Sequence, residues 1–159
     1  MRITSLLSAL ALSASLSFSA DLATKKGLTL EVAKQIAAQA EAEARKNNWN
    51  VVIAIVDDGA NLIYLQRMDE TQIGSVEVAQ EKAKTSVKFK RPTKALEDAV
   101  AGGRNVVLKL PGALPVEGGL PLTIDGKIIG AIGVSGVQSN QDGIIAKAGA
   151  DSLAKIAGK

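Results

Sequence analysis

VVIAIVDDGANLIYLQRM, residues 51–68, decides the fold. Residues 51–56 are a continuous apolar run rich in β-branched side chains, residues 62–68 begin a second extended segment, and Asp57-Asp58-Gly59-Ala60 lies between them. Asp-Gly between two apolar runs signals a β-hairpin, because glycine supplies the positive φ that a tight turn demands. The same signal recurs at Asp125-Gly126, between LPLTI (120–124) and KIIGAIGVSG (127–136). Two hairpins predict an α/β chain of the α+β kind: a mainly antiparallel sheet with helices packed on it, rather than alternating parallel units.

The segments around the hairpins supply those helices. From Leu28, residues Ala33, Ile36, Ala37, Ala40 and Ala44 recur at steps of three and four, giving an amphipathic helix with a narrow, alanine-rich stripe. Thr29 is its expected N-cap, and Asn47 and Asn48 its expected stop. Residues 73–90 read as a second helix with Val76, Ala79, Ala83 and Val87 on one face, ended by Arg91-Pro92. A short helix over 93–100 ends at Gly102-Gly103, and residues 106–110 are expected to be extended. Ile144, Ile145, Ala148 and Leu153 mark a closing helix over 139–156, with an imperfect stripe.

The chain opens with MRITSLLSALALSASLSFSA, in which Arg2 precedes an apolar run and the small residues Ser17, Ser19 and Ala20. That layout predicts a secretory signal over 1–20, cleaved after Ser19 or Ala20, and a single domain over 21–159 in the periplasm or outside the cell. The run is too short and serine-dotted for a membrane span, so no integral span is expected in the mature chain. Without Arg2, 18 basic residues face 16 acidic ones. So small an excess gives no case for nucleic acid as a partner. The dense run Lys82 to Arg91 reads as the solvated side of a helix rather than an anion cradle.

Cysteine and histidine are both absent. Disulfides, thiolate chemistry, a Ser-His-Asp triad and a His-based zinc site are therefore excluded, and an exported chain of this kind must rely on packing or oligomerisation. No catalytic residue and no metal-ligand set is assigned. Any enzymatic chemistry would have to run on carboxylates, lysine or tyrosine.

Three groups of residues are candidates for binding. Arg67-Met68-Asp69 closes the second strand, and Met68 and Tyr64 are the side chains after the leader that offer a thioether or phenolate to a haem iron. Core packing for Met68 and an interface role for Tyr64 are the competing readings. Lys82, Thr85 and Phe89 share a helical face, and with Arg91 they would suit a planar ligand bearing carboxylates. A plain amphipathic boundary with solvent-facing lysine explains the same spacing. Gly118-Gly119-Leu120-Pro121 and Gly130 to Gly136 bring backbone without bulk, which suits either a ligand groove or tight packing.

Taken together, IAIVDDGANLIYLQRMD, IGSVEVAQEKAKTSVKFKRPT, LPVEGGLPLTIDGKIIGAIGVSG and SNQDGIIAKAGADSL resemble the GlcG/HbpS family, the haem-degrading domain family that includes the C-terminal domain of PduO proteins. The resemblance implies a profilin-like or PAS-like sandwich, homo-oligomers up to octamers, and binding of haem or a corrinoid. It maps the ligand-binding positions to Arg67, Met68, Lys82, Thr85, Phe89, Arg91, Gly118, Gly119 and Pro121, alongside Asp69, Ala83, Pro92 and Thr93. Where many relatives carry Gly-His after the first turn, this chain has Ala60-Asn61, so a histidine ligand to iron does not carry over. The expected function is an exported protein that binds haem or another tetrapyrrole. The alternatives are an enzyme acting on haem or a small metabolite, and an oligomeric structural or sensory interaction module.

Overall fold

The computed structural model describes residues 20–158. The expected leader therefore lies outside the described residues, Ala20 excepted. Four strands form one antiparallel sheet: β1 (Val52–Asp57), β2 (Leu62–Arg67), β3 (Gly119–Ile124) and β4 (Lys127–Ser135), in the spatial order β2-β1-β4-β3. The helices are α1 (Leu30–Lys46), α2 (Ser75–Phe89), α3 (Thr93–Ala101) and α4 (Ser139–Ile156).

Strand alternation sends β1 both ways. Ile53 and Ile55 join Ile132 and Val134 of β4 in a large core with α1 and α4, whereas Val52, Ala54 and Val56 face Ala79, Ala83 and Val87 of α2. The sheet is thus covered on both faces, which explains why residues 51–56 are uniformly apolar. Gly133 of β4 lies against α2: a Cβ there would fall 2.0 Å from the Ala79 carbonyl oxygen and 2.6 Å from the Ala83 nitrogen. Small residues on both sides let helix and sheet approach closely. Thr29 caps α1 as expected, its hydroxyl accepting from the Val32 N–H at 3.3 Å, and Asn47 follows as C-cap.

The second hairpin turns through Asp125 (φ 51°) and Gly126 (φ 73°), the positive pair that a two-residue turn needs. In the first, the positive φ falls on Ala60 (67°) instead of Gly59. The loop is longer, and Asp57 organises it: Oδ1 accepts from the Gly59 and Asn61 N–H groups, both at 2.8 Å. Partial burial disfavours the Asp57 carboxylate, yet these donors, the Asn61 amide and Lys25 outweigh it and hold its pKa below the ordinary value. A depressed carboxyl pKa contributes stability above the unfolded value of about 3.9 that is lost as pH falls. Asp57→Ala should accordingly cost about 1–2 kcal/mol at pH 7 and progressively less as pH falls below the unfolded value, read by urea unfolding across that range.

Residues 106–110 differ from the extended form expected. Asn105–Lys109 form a 3-10 helix, closed by Val107 N–H to Arg104 O at 3.1 Å and by Leu110 N–H to Val107 O at 3.2 Å. Only Val107 is buried, and the segment packs on α3 instead of pairing with a strand. α4 covers 139–156 as read, but its buried stripe runs through Asp142, Ile145, Ala146, Gly149 and Leu153, with Ile144 exposed.

Candidate functional site

A cleft of about 420 Å³ opens where α3, the start of β3 and α4 meet. That lies within the range of roughly 300–1,000 Å³ usual for small-molecule sites. Its apolar surface comes from Pro92, Ala95 and Leu120 and from the backbone of Gly118, Gly119 and Gly143; Lys94, Asp98, Glu117 and Lys147 supply charge. Three separate chain segments build it.

The floor is fixed from below. Gly119 N–H donates to the Thr93 hydroxyl at 2.9 Å, Val134 N–H donates to Gly118 O at 2.9 Å, and Glu117 N–H donates to the Glu97 carboxylate. Gly118 takes φ 126°, and a Cβ on it would meet Val134 O at 2.7 Å and Lys82 Nζ at 2.9 Å. A Cβ on Gly119 would fall 2.3 Å from Lys82 O. Both glycines thus serve close packing on their inner side, as one of the two readings of this motif expects, and line the cleft on the other.

Beneath them sits the least expected pair in the chain. Lys82 is 1% exposed and Asp142 2% exposed, with Lys82 Nζ 2.7 Å from Asp142 Oδ2 and 3.0 Å from Val134 O. The solvated-helix reading of the run Lys82 to Arg91 is corrected at its first residue: Lys82 follows Ala79 and precedes Ala83 on the buried side of α2, whereas Lys88, Lys90 and Arg91 are exposed. Burial pushes the Asp142 carboxyl above the usual carboxylate range, against the Lys82 ammonium and the N–H groups of Val137 and Gly136, which favour the charged form.

The residues singled out from sequence are dispersed. Thr85 is buried and holds the loop before β3, its hydroxyl accepting from Leu114 N–H at 2.8 Å. Phe89 is half-buried at the end of α2, and Arg91 is exposed, its Nε donating to Phe89 O at 3.0 Å. Arg67 and Met68 stand at the end of β2, the sheet edge opposite β3. Met68 is 7% exposed within the α1/α4 core, so packing accounts for it. Asn61, at the position of the missing histidine, donates its side-chain amide to Asp57. Of the nine binding candidates, Gly118 and Gly119 line the cleft. Pro121 follows in β3, half-buried, and Pro92 and Thr93 serve as wall and anchor. Lys94, Glu117, Gly143 and Lys147 escaped the sequence reading, since nothing in their local spacing tells that they converge.

No helix among the described residues is long and apolar enough to cross a membrane, and no group of three or more acidic side chains there could hold a metal ion. A family model described as "Haem degrading protein HbpS-like" matches residues 28–151. The chain belongs to the HbpS-like family. Protein GlcG of Escherichia coli K12 is 44% identical over 112 residues, which cover 70% of this chain and 84% of that protein. A crystal structure of an HbpS double mutant from Streptomyces reticuli superposes with a TM-score of 0.77 at 32% identity, covering 90% of this chain and 98% of its own. A crystal structure of a complex of PduOC with haem superposes at 0.72 with 29% identity, covering 80% and 95%. The four-stranded antiparallel sheet flanked by helices is therefore the architecture of solved HbpS-like proteins, and the predicted fold class holds.

Proposed function

We propose that this HbpS-like chain is an exported, homo-oligomeric protein that binds haem or a closely similar tetrapyrrole in the cleft between α3, β3 and α4. The observation that carries the reading is the pairing of a flat glycine floor with a lysine rim, in a family with a relative crystallised with haem. Pro92, Ala95, Leu120 and the glycine backbone would meet the macrocycle face, and Lys94 and Lys147 its carboxylates. Both lysines have exposed partners, Lys94 with Asp98 at 2.8 Å and Lys147 with Asp151 at 2.6 Å, and Lys94 also lies 3.8 Å from the less exposed Glu117 carboxylate. Such exposed pairs are worth little, so the ammonium groups can be recruited by a ligand at small cost.

The donor set fits the ring and its acid groups better than it fits the iron. With no histidine or cysteine in the chain and Met68 in the core, the cleft offers iron the carboxylate oxygens of Glu117 and Asp98 and, if deprotonated, the amines of Lys94 and Lys147. Bound haem would supply a flat apolar face and two propionates; this chain would orient and shield it. Titration of the purified protein with haem should give a saturable change in the Soret band, without the spectrum of a bis-histidine complex. Lys94→Glu with Lys147→Glu should weaken binding at least ten-fold, while the thermal midpoint stays within about 3 °C. No saturation at micromolar haem removes haem from the account, and cobinamide in the same titration tests the corrinoid.

Export rests on the leader-like residues 1–20, and N-terminal sequencing of the periplasmic form should begin at Ala20 or Asp21. Assembly would be expected to cover exposed apolar side chains such as Ile73, Val106 and Leu108. Light scattering should return a mass several times that of one chain.

A further inference from the structure

We propose that the buried Lys82–Asp142 pair is a positioning device for the cleft: it ties the glycine floor to both helical layers, so that ligand affinity depends on it. This rests on the reading of the cleft as the ligand site. A lysine and an aspartate taken out of water give little net stability compared with apolar residues of the same shape, so stability alone does not account for them. Their contacts all converge on the cleft's foundation. Lys82 comes from α2 on one face of the sheet, and Asp142 from the first turn of α4 on the other. The ammonium takes up Val134 O at the end of the β3–β4 ladder, and Asp142 Oδ1 accepts from Val137 N–H at 3.2 Å in the connection to α4.

Gly118 presses directly on the pair. A Cβ at that position would lie 2.9 Å from Lys82 Nζ and 2.9 Å from the Asp142 Cβ, so the floor backbone rests on the two side chains with no layer between. The next residue of α4, Gly143, also lines the cleft, and a Cβ on it would collide with the Glu117 carboxylate at 2.4 Å. Displacing Asp142 therefore moves floor and wall together. Lys82 and Asp142 touch no ligand; they act through Gly118, Gly119 and Gly143.

The test is the double variant Lys82→Met with Asp142→Leu, compared with the parent and with Lys82→Met alone. Apolar replacement of both partners should recover most of the unfolding midpoint lost in the single variant. Amide hydrogen exchange at Gly119 and Val134, whose N–H groups bond to Thr93 and Gly118, should nevertheless be at least ten-fold faster than in the parent, and haem binding at least ten-fold weaker. A double variant with a restored midpoint and parental exchange overturns the proposal. Should the double variant not fold, Asp142→Asn, which keeps an acceptor for Val137, should still speed exchange at both amides; unchanged exchange there overturns the proposal equally. Exchange is read without ligand, so a parent that fails to bind haem counts against the functional reading and leaves this test decisive.

Discussion

Replacing Lys82 by methionine should lower the unfolding free energy by about 3–5 kcal/mol, because it leaves the Asp142 carboxylate buried without its counter-charge. The side chain removed is 2% exposed, and water cannot enter to take over its role without opening the packing of α2 on β3 and β4. The loss should depend on pH in a definite sense. Burial already raises the Asp142 pKa, and removing the ammonium raises it further, so the folded variant binds a proton more tightly than the unfolded chain. Stability of the variant then falls as pH rises above the unfolded value of about 3.9, through the raised folded pKa. The deficit against the parent should be smallest near pH 4 and grow toward pH 7, measured by urea unfolding across that range. A deficit independent of pH would place the cost in lost packing instead.

Gly133→Ala should be comparably severe for a different reason. The added Cβ would sit 2.0 Å from the Ala79 carbonyl oxygen and 2.6 Å from the Ala83 nitrogen, both backbone atoms of α2 that cannot rotate aside. The helix must lift from the sheet along Val52, Ala54 and Val56, giving up contacts over much of that face. Overpacking costs about 1–3 kcal/mol where side chains can yield, and this site belongs at or beyond the upper end. The thermal midpoint should fall by roughly 10 °C. Gly126→Ala offers the contrast: a Cβ at Gly126 meets nothing within 4 Å, and only its φ of 73° resists substitution.

The sheet was legible because each hairpin is written in adjacent residues, an apolar run, a turn and a second run. Asp125-Gly126 obeys that grammar fully. At the first turn the hairpin is right but the residue with positive φ is Ala60, because Asp57 bonds along a longer loop that a dipeptide rule does not describe. Helix periodicity found α1 and α2, yet could not separate a snorkelling lysine from a buried one. Lys82 lies beside Ala83 in the sequence and its partner Asp142 lies 60 positions away, so only the fold brings the charge to its counter-charge. The cleft was visible in part for the same reason. Gly118-Gly119 stands out as a dipeptide, whereas Lys94, Glu117 and Lys147 come from three segments and look like ordinary surface charge. Arg67 and Met68 were grouped with the glycines by resemblance, and the strand order puts them across the sheet.

Mapping a bound porphyrin is the most direct check on where this chain holds its ligand. Titrating diamagnetic zinc protoporphyrin into the isotopically labelled protein should shift, saturably, the amides of residues 94–98, 117–120 and 143–147, and leave those of residues 66–69 in place. Saturable shifts centred on Arg67 and Asp69 at the far edge, or no saturable shifts at all, would contradict the assignment of the cleft.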